Sequence, residues 1–519
     1  MRLFRYPFVI CRVSVIQLLF LLFVFPLHFM YAEARHTFEV RGFHLDLRIQ
    51  VMKMPALKDL ALELSENGIN TLLMEWEATY PYEKHRVITG ENAYTRKEIT
   101  GFVKYCNSIG IDVIPLQQSF GHVEYILRHP RYRELREDQK DYSQVNPTEE
   151  ALCKALFTDL YEDLITTHTS EYIHIGGDET YLLGHSEASR KKAEEVGMGR
   201  LYGDYLKMLC DVVVGLGKRP VIWADIALKY PDALELLPEE TVLVDWNYGW
   251  ELDRFGDHGK LIQSGFEIWG APALRSGPDN YYLTDWQKHM DNIHTFIPQA
   301  RQLGYKGIVM TSWSTSGIYS PVFESADNIT DLYPVRRVYP LSGFRLLIRA
   351  YLESLRTESP LAVEEFIVRY SKDTYGLNKG QALTFWKALT AASYEIKQGK
   401  IAGEGIDVVS LSDSVRTVLD VLRSLKPLKN KEEFRHYVLM TEIRWYYLQG
   451  MLAEAELNKP SFREEDIPQL LRVLKDLPSE RIDKEFSVLH RDVLYPSELE
   501  KENRLRNHRI EMLIRKLTN

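Results

Sequence analysis

From residue 37 onward the chain alternates short apolar runs with longer stretches whose apolar residues recur every three or four positions. That alternation is the pattern of parallel strands joined by crossover helices. Eight runs read as strands, at residues 37–47, 69–77, 111–118, 172–179, 219–226, 241–248, 266–273 and 307–313. Between the first two, Leu57, Leu60, Ala61 and Leu64 mark one face of a helix that stops at Gly68. After the second, Thr95 and Glu98 form a capping box ahead of Ile99, Val103 and Cys106, and Gly110 closes that helix. Eight such repeats predict an α/β fold, a closed (β/α)8 TIM barrel, which typically takes about 250 residues. Past residue 345 the strand signals cease, and "LSGFRLLIRAYLESLRT", "PLAVEEFIVRYSKDTYG", "KGQALTFWKALTAASYEIKQG" and "FRHYVLMTEIRWYYLQGMLAEAEL" all have helical periodicity. The pattern predicts a barrel over residues 35–345 and an all-α C-terminal domain over 346–519. Within the latter, "IRWYYLQGM" reads as a helix–helix core and is given no chemistry.

Residues 1–34 carry Arg2, Arg5 and Arg12, an uncharged apolar run at 13–30, and a small-x-small site at Ala32, Glu33 and Ala34. This is the pattern of a signal peptide cleaved after Ala34, and it predicts a secreted or periplasmic protein. The run is also long enough to stay as an uncleaved membrane anchor, which is the alternative reading. Cys11 precedes the apolar run, so it is not read as a lipid anchor. Of the four cysteines, Cys106, Cys153 and Cys210 follow the leader, with no zinc spacing, and are expected as buried small hydrophobes rather than a disulfide framework. Composition is that of a folded globular protein, with 45% hydrophobic and 26% charged residues. The net charge of -9, with Lys and Arg scattered, argues against a nucleic-acid partner. No motif calls for a cofactor, and pairing into a homodimer is left open.

The strands are apolar for most of their length and end in polar or aromatic residues: Asp46, Glu75 and Glu77, Gln118, Asp178 and Glu179, Trp223 and Asp225, Trp246 and Tyr248, Trp269, and Trp313. A barrel builds its site at the C-terminal ends of its strands, so these groups are expected to share one mouth. Four tryptophans there suggest a sugar ring, whose C–H faces pack on indole. The fourth strand carries the densest chemistry, in "EYIHIGGDETYLLGHSE" at residues 171–187. Gly176 and Gly177 let the chain bend out of the barrel wall, which brings both Asp178 and Glu179 to the mouth. Two such charges about 5 Å apart repel by roughly 3 kcal/mol at an effective dielectric near 20, equivalent to about two pKa units.

"HIGGDE" resembles the signature of glycoside hydrolase family 20, the β-N-acetylhexosaminidases. The resemblance extends, in order, through "VRGFHLDLR", "LLMEWEATYPYE", "PLQQSFGHVEYILRHPRYRELRE", "VIWADI" and "TSWSTSGIYSPVFE". It implies exo-acting hydrolysis of terminal β-linked GlcNAc or GalNAc, with retention, in which the substrate's own 2-acetamido oxygen attacks C1. By the same resemblance Asp178 orients the acetamido N–H, and Glu179 is the general acid, its pKa raised by Asp178. Arg41 and Asp46 would hold sugar hydroxyls. Arg48 stands in a D-x-R spacing where many members have D-x-x-R, so that role is not carried to it. His122 would lie near the acid, Glu124 would reach hydroxyls, Trp223, Trp246 and Trp313 would wall the acetamido pocket, and Tyr248 would bond the acetamido oxygen. Ala224 and Thr315 stand where many members have carboxylates, which leaves the choice between GlcNAc and GalNAc open.

Two other classes remain. A metal-dependent hydrolase would use His44, Asp46, His122, His174 and Asp178, but no H-x-H or H-E-x-x-H spacing occurs and no metal is expected. A glycan-binding protein on an inactive barrel would have no need of the Asp178–Glu179 conflict.

Overall fold

The computed structural model describes residues 38–276, 282–314, 322–323, 334–391, 396–397, 400–401 and 408–519, so the leader, Cys11 and Thr315 lie outside the described residues. Seven parallel strands follow in order: β1 (Val40–Asp46), β2 (Thr71–Glu75), β3 (Asp112–Leu116), β4 (Tyr172–His174), β5 (Arg219–Trp223), β6 (Val242–Trp246) and β7 (Glu267–Ala271). Pro272 then interrupts the ladder, since it has no N–H to give, and a short strand β8 (Ala273–Arg275) resumes it. The last barrel strand, β9 (Gly307–Ser312), pairs with β7, with β8 and with β1, and the β1 pairing closes the barrel. The fold is the expected eight-stranded parallel barrel, with all eight strand runs in place.

Inside it, Leu73, Ile114, Leu116, Val221, Val244 and Val309 pack with Trp223 and Trp269. Outside, the helix faces fill a second core that runs without a break into the C-terminal helices. Leu57, Leu60, Ala61 and Leu64 are buried on helix Met54–Glu66, and the Thr95–Glu98 capping box opens helix Arg96–Ser108. Cys106, Cys153 and Cys210 are free and buried in this layer, and burial pushes each thiol up to about 12.

The chain after β9 is helical, as its periodicity predicts. Helix Arg345–Ser354 lies on the barrel, where the Tyr351 hydroxyl donates to the Gly42 carbonyl at 2.7 Å. The 27-residue helix Lys431–Leu457 runs through the middle of the others, and Ile443, Tyr446, Tyr447 and Leu448 are buried in it, so the aromatic run is core. Helix Pro496–Thr518 reaches back to the loop after β1. Its Glu498 accepts from the Gln50 backbone N–H at 3.0 Å and, together with Glu502, pairs with buried Arg336. The helical half thus braces the loop that carries Arg48.

Candidate active site

At the C-terminal end of the barrel lies a cavity of about 760 Å³. Its wall divides by strand. From β1 to β4 come Arg48, His122 and all three acids, Glu124, Asp178 and Glu179; from β6 to β9 come Trp246, Tyr248, Trp250, Phe255 and Trp313, with Arg254 and Lys288 as the only charges among the described residues. A second cavity, of about 600 Å³, lies against helices Met54–Glu66 and Arg345–Ser354. There Arg345 and Arg349 pair with Glu63, and Arg369 with Glu353.

Past His174 the chain still bonds β5, the Ile175 N–H donating to the Val221 carbonyl at 2.9 Å and the Gly176 carbonyl accepting from the Trp223 N–H at 3.0 Å, and it then bends away, with Gly176 and Gly177 at φ of 78° and 98°. A Cβ on Gly176 would lie 2.1 Å from Gln118 Oε1, and at φ 78° any other residue would be strained there. The bend delivers Asp178 and Glu179 to the same side of the cavity. His122 Nε2 lies between them, 3.4 Å from Asp178 Oδ2 and 3.3 Å from Glu179 Oε2. Tyr181, two residues on and exposed, donates its hydroxyl to Glu179 Oε1 at 3.2 Å. Glu179, His122 and Glu77 all have left-handed backbones, with φ of 47°, 56° and 46°. Such conformations cost non-glycine residues roughly 1–3 kcal/mol each and gather at functional sites.

The electrostatics differ from the sequence expectation. Burial pushes Glu179 up, but the hydrogen bond and charge of His122 outweigh it, and the carboxyl is held below its usual range. The net shift of Glu179 is thus downward rather than upward, because the imidazole stands between the two carboxylates. Burial likewise opposes the charge on His122, yet Asp178 and Glu179 hold its pKa well above the ordinary value. The carboxyl that does rise is Asp225, pushed up to about 7 by burial first and by Asp178 second.

Beneath the charged half, Arg48 organises buried acids. Its Nε donates to Asp46 Oδ1 at 2.8 Å, and its Nη2 to Glu75 Oε1 at 2.5 Å and lies 3.6 Å from Glu77. Glu75 also meets His44 Nε2 at 3.0 Å and accepts from Gln118 Nε2. Burial raises Glu75, but Arg48 and then His44 bring it far below the usual range. Glu77 has no hydrogen-bond partner for either oxygen, and burial outweighs Arg48 to push it well up. Glu124 is raised too, by burial against the pull of His122, with Oε2 buried and unpartnered.

The expected residues divide into those on the cavity and those away from it. Asp178, Glu179, His122, Glu124, Trp246, Tyr248 and Trp313 line it together. The Trp313 indole N–H donates to the Tyr248 hydroxyl at 2.6 Å. Arg41 does not join them. It sits five residues before Asp46, about 16 Å back along the strand, where its guanidinium donates to the carbonyls of Gly68 and Phe38 at the N-terminal end. Of the arginines near β1, the one at the mouth is Arg48, where the chain bends just past the strand's end. Asp46 itself is buried and holds Arg48 and the Ser314 N–H instead of lining the cavity. Trp223 is fully buried in the barrel interior, its ring 4.4 Å from His174 and 5.5 Å from Trp313. Trp269 lies near the strand starts, with its indole donating to Glu267 and its ring on Tyr172. The mouth therefore has Trp246 and Trp313 of the four expected tryptophans, and gains Trp250. Burial lowers the neighbouring His174 to about 3. Among the described residues no cluster of three or more His, Cys, Asp and Glu could hold a metal ion.

A family model described as "Glycosyl hydrolase family 20, catalytic domain" matches residues 39–317 of this chain. The chain belongs to glycoside hydrolase family 20 and is a glycoside hydrolase, an enzyme acting on carbohydrate. It is 29% identical to hexosaminidase D of Bos taurus over 306 residues, covering 55% of this chain and 87% of that one. It is also 29% identical to hexosaminidase D of Homo sapiens over 341 residues, covering 61% and 69%. The crystal structure of a β-N-acetylhexosaminidase from Bacteroides fragilis NCTC 9343 aligns with a TM-score of 0.48 at 17% identity, over 65% of this chain and 70% of that one.

The position of His122 gives a pH prediction. Its hydrogen bond is what holds Glu179 down, so His122→Asn, which keeps a residue tolerant of left-handed backbone, should let Glu179 rise. If Glu179 must carry a proton to react, the alkaline limb of kcat/KM, which reports the free enzyme, should move to higher pH while the maximum falls. An unmoved limb in the variant would show that another group sets it.

Proposed function

We propose that the protein is an exo-acting β-N-acetylhexosaminidase that releases terminal β-linked GlcNAc or GalNAc from glycans with retention, using the substrate's acetamido group as nucleophile. The observation that carries this reading is the placement of the two carboxylates. A retaining glycosidase with its own nucleophile sets two carboxyls about 5–5.5 Å apart on either side of the sugar. Here Asp178 and Glu179 lie on the same side of the cavity, bridged by one imidazole, and the facing wall of Trp246, Tyr248, Trp250, Phe255 and Trp313 with Arg254 and Lys288 presents no carboxyl among the described residues. The nucleophile is then left to the substrate.

In the first step the acetamido oxygen attacks C1 as the bond from C1 to the leaving oxygen breaks, and Glu179 gives that oxygen its proton. Asp178 accepts the acetamido N–H and stabilises the positive charge of the oxazolinium ring. In the second step ionised Glu179 takes a proton from water, whose oxygen attacks C1 and opens the ring. Two displacements at C1 restore the original configuration. Trp246 and Trp313 enclose the acetamido methyl, Tyr248 meets the acetamido oxygen, and Arg48 with Glu124 meets sugar hydroxyls. We propose a secreted or periplasmic setting for this action, which the leader pattern of residues 1–34 supports.

Turnover of matched aryl β-GlcNAc, β-GalNAc and β-glucoside substrates tests the reading. Both acetamido sugars should be hydrolysed and the glucoside should not. Equal turnover of the glucoside contradicts it, and binding of all three without turnover favours the glycan-binding alternative.

A further inference from the structure

Asp225 lies outside the cavity and touches both of its halves. It is the first residue of helix Asp225–Lys229, directly after β5, and is 3% exposed. Its Oδ2 accepts from the backbone N–H of Glu179 at 3.1 Å, and its Oδ1 accepts from the indole Nε1–H of Trp246 at 3.2 Å. One carboxylate thus spans from the end of β4 to the end of β6, across the line that separates the charged half from the aromatic half.

We infer that Asp225 is a positioning residue that clamps Glu179 to Trp246, fixing where the acid points relative to the wall that holds the sugar. The inference rests on the reading of Glu179 as the acid. Two observations carry it beyond ordinary packing. The N–H that Asp225 holds belongs to a residue at φ 47°, a backbone state that local sterics do not favour and that needs an outside partner. The two donors also demand an acceptor at both oxygens. A carboxylate is that group, whereas an amide would turn its NH2 against one of the two N–H groups. A shift in Glu179 of about 1 Å is the scale at which catalysis falls by about 10²-fold.

The test uses the full chain with Asp225→Asn, Trp246→Phe, the double variant and Glu179→Ala. kcat and KM are measured on aryl N-acetyl-β-hexosaminides of graded leaving-group pKa. Asp225→Asn should lower kcat up to about 10²-fold for poor leaving groups, less for activated ones, with KM little changed. Adding Trp246→Phe to Asp225→Asn should not steepen the leaving-group dependence further, because the clamp is already broken, although loss of the indole wall adds its own cost to every substrate alike. A leaving-group-independent loss in Asp225→Asn, or a further steepening in the double variant, overturns the clamp while a steep dependence in Glu179→Ala leaves the acid assignment standing. A flat dependence in Glu179→Ala itself overturns that assignment and the clamp with it. Should Asp225→Asn fail to fold, Trp246→Phe alone decides: it keeps the ring and removes the indole bond, so it should steepen the dependence, and an unchanged slope refutes the clamp.

Discussion

Glu179→Ala should slow hydrolysis of substrates with poor leaving groups by about 10²- to 10⁴-fold, the usual worth of general acid catalysis, and slow strongly activated aryl substrates far less. An activated phenolate departs without a proton, so the first step hardly needs the acid. Asp178→Asn should behave differently. Asp178 supports the acetamido group in every turnover, so both classes of substrate should lose activity by similar factors. Small anions such as azide should rescue Glu179→Ala where the second step limits, by replacing the water that Glu179 would have deprotonated. The measurement is kcat/KM across a leaving-group series, read as lost transition-state stabilisation. A steep dependence in Asp178→Asn with a flat one in Glu179→Ala would exchange the two roles.

Arg48→Met should be the most destabilising single change at the site. The guanidinium is the cation that holds Asp46 and Glu75 and lies 3.6 Å from Glu77, and all three acids are buried. Removing one partner of a buried ion pair costs about 3–5 kcal/mol, because the remaining charge has neither water nor counterion. Arg48→Lys should recover part of this, since a lysine supplies the charge but not the forked geometry that reaches two carboxylates. The sign of the pH effect follows from Glu75. Its folded pKa is depressed, so its contribution is present above the ordinary carboxylate range and is lost only as pH falls through its folded value. Without Arg48 the largest cause of that depression is gone and burial works against the charge with only His44 and Gln118 opposing it, so the variant becomes relatively more stable as its acids take up protons. The gap in denaturation midpoint between parent and variant should be widest at neutral pH and should narrow toward pH of about 4. A constant gap across that range would show that packing, not charge, is what Arg48 supplies.

Much of the fold was legible because barrel strands announce themselves twice, by apolar runs and by the helices between them. Each observed barrel strand falls inside its sequence run, but the runs extend past the strands. At the fourth, the run continues to Glu179 while β4 ends at His174, because Asp178 and Glu179 ride on a bend that begins at Gly176. The carboxylate pair was legible for the same reason, since two glycines before two acids is a local signal. Arg48 was not. Choosing between Arg41 and Arg48 requires knowing that β1 runs toward the mouth and that the chain bends just past the strand's end, with Gln50 at φ 53°. Trp223 and Trp269 were misplaced because a strand-end tryptophan can face the barrel interior as well as the mouth, and alternation alone does not say at which height. Asp225 was visible as a strand end, yet its partners are a backbone N–H and an indole from two other strands, a relation that no spacing in one chain segment encodes.

The claim most exposed to a single measurement is that the substrate supplies the nucleophile. Aryl β-glucosaminides whose N-acetyl group carries none, one, two or three fluorines differ mainly in the electron density on the attacking oxygen. The account predicts that kcat/KM falls steeply with each added fluorine, with the trifluoroacetyl compound the poorest substrate. A kcat/KM that stays level across the series would mean that the acetamido oxygen does not attack C1, and would contradict the assignment of Asp178 with it.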